Sequence, residues 1–165
     1  RSTAVASEVL CAEGALTVRR FREGDLPELA ALLADPEVMR WLEPPFDRAR
    51  AAEFLRTAGL SEPPLIYAAE EDGAFLGYVI FHRYGGEDAA ELGWVLRRSA
   101  WGRGYAGRLT ALLLSAAEGK WAEAVIECAP EQRASARVAE KLGFREEGMA
   151  DGCRVFRRTV PRDGT

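Results

Sequence analysis

The chain has 165 residues, enough for one domain with a buried core and too few for several. Its formal net charge is −4 and its pI about 5.2, which excludes a general electrostatic attraction to nucleic acid or to an anionic membrane surface. Any anion has to be bound locally. Three cysteines, Cys11, Cys128 and Cys153, are widely spaced and form no C-x-x-C pair, so neither a disulfide framework nor a zinc ribbon is indicated and a reduced, cytoplasmic setting is expected. No run of 18 apolar residues is present to suggest a membrane span.

In chain order, residues 1–15 read as a flexible extension and residues 16–160 as a single domain. "LTVRRF" (16–21) alternates like a strand with one wet face. Asp25 is placed to cap a helix over "LPELAALLAD", with Pro27 in its first turn. "PEVMRWLEPPF" (36–46) has no long period and two prolines, which predicts a helical turn and then a loop. Asp47 is expected to cap a second helix ending at Gly59.

An antiparallel meander follows: 65–70, a turn at Asp72-Gly73, 75–83, the loop "YGGED", and 89–96, in which Gly93 marks a bulge or a close approach. Residues 107–119 carry Leu109, Leu112, Leu113 and Ala116 at helical spacing. Then come a buried strand (122–128), an amphipathic helix stopped by Gly143, and a closing hairpin over Asp151-Gly152. This is one α/β domain with a mixed sheet.

Between the strand ending at Leu96 and the helix lies "RRSAWGRGYAGR". It holds Arg97, Arg98, Arg103 and Arg108, and no acidic residue occurs before Glu118. The first amide N–H groups of a helix lack internal acceptors and its dipole adds positive charge there, while glycines let a phosphate approach the backbone. The stretch is built like a diphosphate cradle; a solvated turn with arginines for solubility is the alternative. It is neither a Walker loop nor a dinucleotide fingerprint, since no G-K-[ST] follows and the preceding strand belongs to a meander.

"ELGWVLRRSAWGRGYAGRLTALLLSAAE" resembles the acyl-CoA-binding segment of the GNAT superfamily of N-acetyltransferases, with pattern Q/R-x-x-G-x-G/A: Gly104 and Ala106 fit its last two places, and Trp101 stands where Gln or Arg is usual. "WGRGYA" is typical of the RimJ/RimL-like branch, and "SARVAEKLGF" (135–144) is similar to a second segment of that branch. The resemblance implies an α/β (α+β) GNAT fold. Its single mixed, mostly antiparallel twisted sheet would have about seven strands, flanked by about four helices and splayed between the fourth and fifth strands, with acetyl-CoA as co-substrate and no metal.

The resemblance places pantetheine against the backbone of Trp94, Val95 and Leu96. It places the diphosphate on Arg103, Gly104, Tyr105, Ala106, Gly107 and Arg108, with Arg97 or Arg98 on phosphate oxygens. Pro130 is compatible with the splay. Gln132 replaces the usual Asn of the second segment, and Ala139 occupies the place where many members carry a Tyr that protonates the thiolate. Ser135 matches the Ser proposed for that part in the RimL-like branch; the alternative is a hydroxyl bonded to its own helix.

The implied reaction is attack of a neutral amine on the thioester, aided by positioning and backbone donors. Glu91 is the candidate base, the alternative being a strand carboxylate paired with an arginine; His82, the only histidine, reads as structural. Trp41, Glu43, Phe46 and Glu87, with Asp88, are expected to form an acidic mouth for a cationic amine. The acceptor implied by the branch is the N-terminal α-amine of a protein or peptide. A small amine (aminoglycoside, polyamine or amino acid derivative) and a non-catalytic acyl-CoA sensor are the alternatives. Partners are then CoA and an amine acceptor, with no nucleic acid or membrane, in a monomer or homodimer.

Overall fold

The structure is a computed structural model that describes residues 8–161. Eight strands are hydrogen-bonded in the order β1-β2-β3-β4-β5-β6-β8-β7. They are β1 (Val9–Glu13), β2 (Leu16–Arg19), β3 (Ile66–Glu71), β4 (Ala74–Arg83), β5 (Ala89–Leu96), β6 (Glu123–Cys128), β7 (Arg145–Ala150) and β8 (Cys153–Thr159). The four α-helices are α1 (Leu26–Leu33), α2 (Arg48–Phe54), α3 (Tyr105–Ala117) and α4 (Arg133–Lys141). Among the described residues no helix is long and apolar enough to cross a membrane.

The chain divides into two compact units, one running to Ile80 and including Trp94–Trp101, the other Phe81–Gly93 with the residues from Gly102 on. In the first, β1, β2, β3 and β4 pair antiparallel in sequence order. The strand β1 corrects the expected extension: residues 9–13 pair with β2, and residues 1–7 lie outside the described residues. The sheet therefore has eight strands, in keeping with the about seven expected. Helices α1 and α2 bury Leu29, Leu32, Leu33 and Ala51 into a core with Phe21, Phe75 and Tyr78.

Asp47 caps α2 as expected, its Oδ1 accepting from the Arg50 N–H at 2.8 Å. Asp25 stands at the N-cap of α1 but makes no cap hydrogen bond there. Its carboxylate instead receives both terminal nitrogens of Arg19, at 2.9 and 3.0 Å, and the Arg22 N–H at 2.7 Å. Arg19 is only 5% exposed and also donates to Glu70 at 3.0 Å, so a buried cation has a stronger claim on Asp25 than a helix end has. Burial opposes the charge on Asp25, but the Arg19 guanidinium and the Arg22 N–H outweigh it and hold the carboxyl below its ordinary pKa.

In the second unit β5 pairs parallel with β6, β6 antiparallel with β8, and β7 antiparallel with β8. The β5–β6 ladder runs from Ala89 opposite Glu123 to Glu91 opposite Val125; Leu92 and Gly93 of β5, and Ile126 to Cys128 of β6, continue past its end within this unit. Helix α3 buries Leu109, Leu113 and Ala117, and α4 packs on α3 and on β6, β7 and β8 through Ala136 and Ala139. The hairpin turn Asp151-Gly152 forms as expected, with φ of 51° and 80°.

Candidate active site

In the second unit the chain enters α3 through two left-handed glycines, Gly102 (φ +71°) and Gly104 (φ +81°), the latter being the N-cap. A Cβ added to Gly102, Gly104 or Gly107 would meet nothing within 4 Å, so the approach to this helix start is open. No acidic residue lies in the first turn. Tyr105 is buried, and the guanidinium groups of Arg103 and Arg108 each lie 5.6 Å from its ring centroid. The side chain of Tyr105 is thus a pedestal for two cations at a helix N-terminus.

At the start of α4, the Oε1 of Gln132 accepts from the Ala129 N–H at 2.8 Å. Its oxygen therefore closes the turn after β6 and its NH2 group remains for a ligand. Ser135 is half-buried in the first turn, and its hydroxyl has no hydrogen bond among the described residues, so it is not bonded to its own helix. Thr110 illustrates the opposite case, donating to the Ala106 carbonyl at 2.7 Å. Ala139 is fully buried, so the place of the usual Tyr offers neither an acid nor an opening.

Also in this unit, Glu91 of β5 faces His82 of β4, Oε1 to Nε2, at 3.5 Å. The His82 Nδ1 lies 2.7 Å from the Arg83 carbonyl. Glu91 is half-buried, and burial raises its carboxyl pKa; His82 opposes that shift and the nearby Glu127 of β6 adds to it. Tyr84 donates its hydroxyl proton to Glu127 at 2.6 Å. The alternative for Glu91, an arginine partner, is not what the structure contains. The signal for His82 was in the sequence: both residues flank the short loop of a single hairpin, which sets neighbouring strands side by side.

In the first unit, Arg97 and Arg98 are unequal. Arg98 donates from Nε to Asp35 at 2.8 Å, so one of its donors is already committed. The Arg97 Nε is buried without a hydrogen-bond partner among the described residues. Such a donor costs about 1–3 kcal/mol until an acceptor meets it. Trp101 donates its indole N–H to the Leu96 carbonyl at 2.8 Å, which fixes the end of β5 and explains a Trp at that place of the motif. Val95 and Leu96 are buried and Trp94 half-buried, so this stretch can meet a ligand chiefly through its backbone.

The residues expected at an acidic mouth differ in their surroundings. Phe46 is a core residue, edge-on to Phe54 at 5.9 Å with the Arg50 guanidinium 4.1 Å from its ring centroid. Glu43 is paired with Arg50. Glu87 is paired with Arg157 at 2.8 Å, and Arg157 also holds Glu123 and Glu147. Trp41, Glu43 and Glu87 are exposed, and Arg40 stacks on Trp41 at 4.7 Å.

Residues 15–145 match the acetyltransferase (GNAT) domain family. Over 151 residues the chain is 27% identical to the uncharacterized N-acetyltransferase YnaD of Bacillus subtilis (strain 168), covering 89% of this chain and 85% of that one. Its fold is shared with the Salmonella typhimurium acetyl transferase that modifies the N-terminal serine of 50S ribosomal subunit protein L7/L12 (TM-score 0.80, 19% identity, 93% of this chain and 100% of that one). It is shared also with spermidine N-acetyltransferase from Vibrio cholerae, solved with CoA and spermine (TM-score 0.75, 18% identity, 88% and 96%). The chain belongs to the GNAT acetyltransferase family and is an acetyl-CoA-dependent N-acetyltransferase.

Proposed function

We propose that this chain acetylates the α-amine of a protein or peptide N-terminus, in the manner of the RimL-like branch, with Glu91 as proton acceptor. The observation that carries the reading is the placement of Glu91: half-buried, with its proton affinity raised, and in contact with an imidazole and, among the described residues, with no arginine. An α-amine with pKa near 7.7–8.0 is about a tenth neutral at pH 7, whereas a lysine near 10.4 is neutral in about one part in 2,500. The difference is about 3 to 4 kcal/mol, so an α-amine needs only the modest base that one carboxylate supplies. Pairing of Glu43 and Glu87 with arginines weighs against a polyamine, which would need free anions along its length.

Bound acetyl-CoA supplies an acetyl thioester. In the second unit, the N–H groups at the start of α3, with Arg103 and Arg108, would hold its diphosphate, and the Gln132 amide its pantetheine arm. In the first unit taken by itself, the Arg97 Nε is a buried donor that an acceptor on CoA would satisfy. The ammonium loses two protons overall: Glu91 takes one, and the departing sulfur takes the other, the part we assign to the Ser135 hydroxyl being to pass it. One C–N bond forms and one C–S bond breaks. The three free cysteines accord with a reduced, cytoplasmic setting.

The test is CoA thiol release with N-terminal peptides, lysine peptides and polyamines, alongside calorimetric CoA binding. Highest kcat/KM on N-terminal peptides is expected. Equal or better turnover of polyamines would replace the reading with a small-amine enzyme, and CoA binding without any turnover would make the chain a sensor. Separately, Arg97→Gln is expected to weaken CoA binding about tenfold, since a hydrogen bond to a charged donor contributes about 1.5–3 kcal/mol. Arg98→Gln, which mainly releases Asp35, should change it less than threefold; the reverse order would make Arg98 the ligand.

A further inference from the structure

We propose that His82 and Glu127, the latter held by Tyr84, are positioning residues that act on the Glu91 proton with opposite signs and so set the pH at which the enzyme works. The inference rests on the reading of Glu91 as proton acceptor. Three adjacent strands bring the group together. Glu91 lies opposite Val125 in the parallel ladder, and Glu127 follows Val125 by two residues, so Glu91 and Glu127 project from the same face of neighbouring strands. His82 reaches Glu91 from β4 on the other side.

Each partner is fixed in a state that suits its part. A carbonyl only accepts, so the 2.7 Å contact with the Arg83 oxygen keeps a proton on His82 Nδ1 and leaves Nε2 as the atom that gains or loses one, 3.5 Å from the Glu91 Oε1. The 2.6 Å bond to Glu127, with burial, pushes the Tyr84 phenol up to about 12, so Tyr84 stays protonated and keeps donating to Glu127 across the working range. An imidazolium beside Glu91 favours its anionic form, and a second carboxylate near it favours its protonated form.

The other titratable or charged groups around the set are Cys153 at the start of β8, which interacts with both carboxylates, Glu87, which interacts with Tyr84, and Arg157, whose guanidinium lies 5.8 Å from the Tyr84 ring centroid. Arg157 is already committed to Glu87, Glu123 and Glu147, and Cys153 is neutral at working pH because burial raises its thiol pKa. His82 and Glu127 are therefore the two charges that can tune Glu91.

The experiment is the pH profile of kcat, whose acid limb reports protonation of the base in the substrate complex. Glu127→Gln should move that limb to lower pH and His82→Gln to higher pH, each by about 0.5 to 1.5 pH units, as expected for unit charges several ångströms apart at an effective dielectric of about 20–40. CoA binding should stay within twofold in both. An acid limb that moves the same way in both variants, or in neither, overturns the proposal. If Glu91→Gln keeps both kcat and the limb, it is the acceptor reading that has failed. A readout free of turnover is the single imidazole resonance: because His82 is the only histidine and its Nε2 lies 3.5 Å from Glu91, its Cε1–H signal should move in Glu91→Gln at a fixed pH. An unmoved signal also overturns the proposal.

Discussion

Replacing Gly77 by Ala is expected to destabilise the protein by about 3 kcal/mol or more, and to weaken CoA binding with it. Gly77 sits in β4 at φ +147°, where a side chain is strained whatever the space. A Cβ there would lie 2.1 Å from the Val95 carbonyl oxygen and 2.8 Å from the Leu96 Cα. Both are backbone atoms, so no rotamer change relieves the clash and the strands must part. Strain at such a φ costs about 1–3 kcal/mol and overpacking about 1–3 more, against a total stability of about 5–15 kcal/mol. Val95 and Leu96 belong to the stretch that the resemblance sets against pantetheine, so the fold and the ligand site should suffer together. Gly107→Ala is the control: it lies inside α3 with open space at its Cβ, and should hold or raise the unfolding midpoint, as Ala in a helix is favoured over Gly by up to about 1 kcal/mol. Urea unfolding of both variants checks this, and a Gly77→Ala protein with the parent midpoint would mean the strands yield there at little cost.

Gly77 also shows where reading the sequence stops. Gly93, inside the strand pattern 89–96, is the glycine the sequence reading singles out, while Gly77 sits equally inside "FLGYVIF", and what makes it indispensable is its distance to another strand. Features decided within a few residues were legible. The Asp47 cap, the Asp72-Gly73 and Asp151-Gly152 turns, the α3 helix and the glycine entry to its N-terminus all lie where local physics puts them, although the buried face of α3 is Leu109, Leu113, Leu114 and Ala117 and leaves Leu112 and Ala116 only half-buried. Features decided by partners far along the chain were not. Arg98 donates to Asp35, 63 residues away, and Glu87 accepts from Arg157, 70 away, ion pairs that no local pattern announces. Asp25 loses its capping part to Arg19 only because Arg19 is buried, a fact of tertiary packing. β1 is five residues at a sheet edge and has no strong alternation of its own; it is a strand because β2 supplies its partners.

For the chemistry, Glu91→Gln is expected to lower kcat at pH 7 by about 10²- to 10⁴-fold, the usual contribution of a general base, with CoA affinity within twofold. The amide keeps the size and the polar surface of the side chain but cannot take a proton from an ammonium, so only acceptor molecules that arrive neutral react. That fixes how the defect must vary with pH. For an α-amine of pKa near 7.7–8.0 the neutral fraction rises from about a tenth at pH 7 to more than nine-tenths at pH 9, so the variant should recover about tenfold over that interval. For a lysine of pKa near 10.4 the fraction climbs a hundredfold over the same interval and is still only about 4% at pH 9, so recovery is steeper and continues past pH 10. The parent, whose carboxylate removes the proton within the complex, should be far flatter with either acceptor. The pH dependence of a single variant thus reports both whether Glu91 is the proton acceptor and which amine it serves. A recovery that levels off near pH 8 to 9 identifies the α-amine; one still rising at pH 10 identifies the lysine; and a kcat within threefold of the parent at pH 7 removes Glu91 from the mechanism.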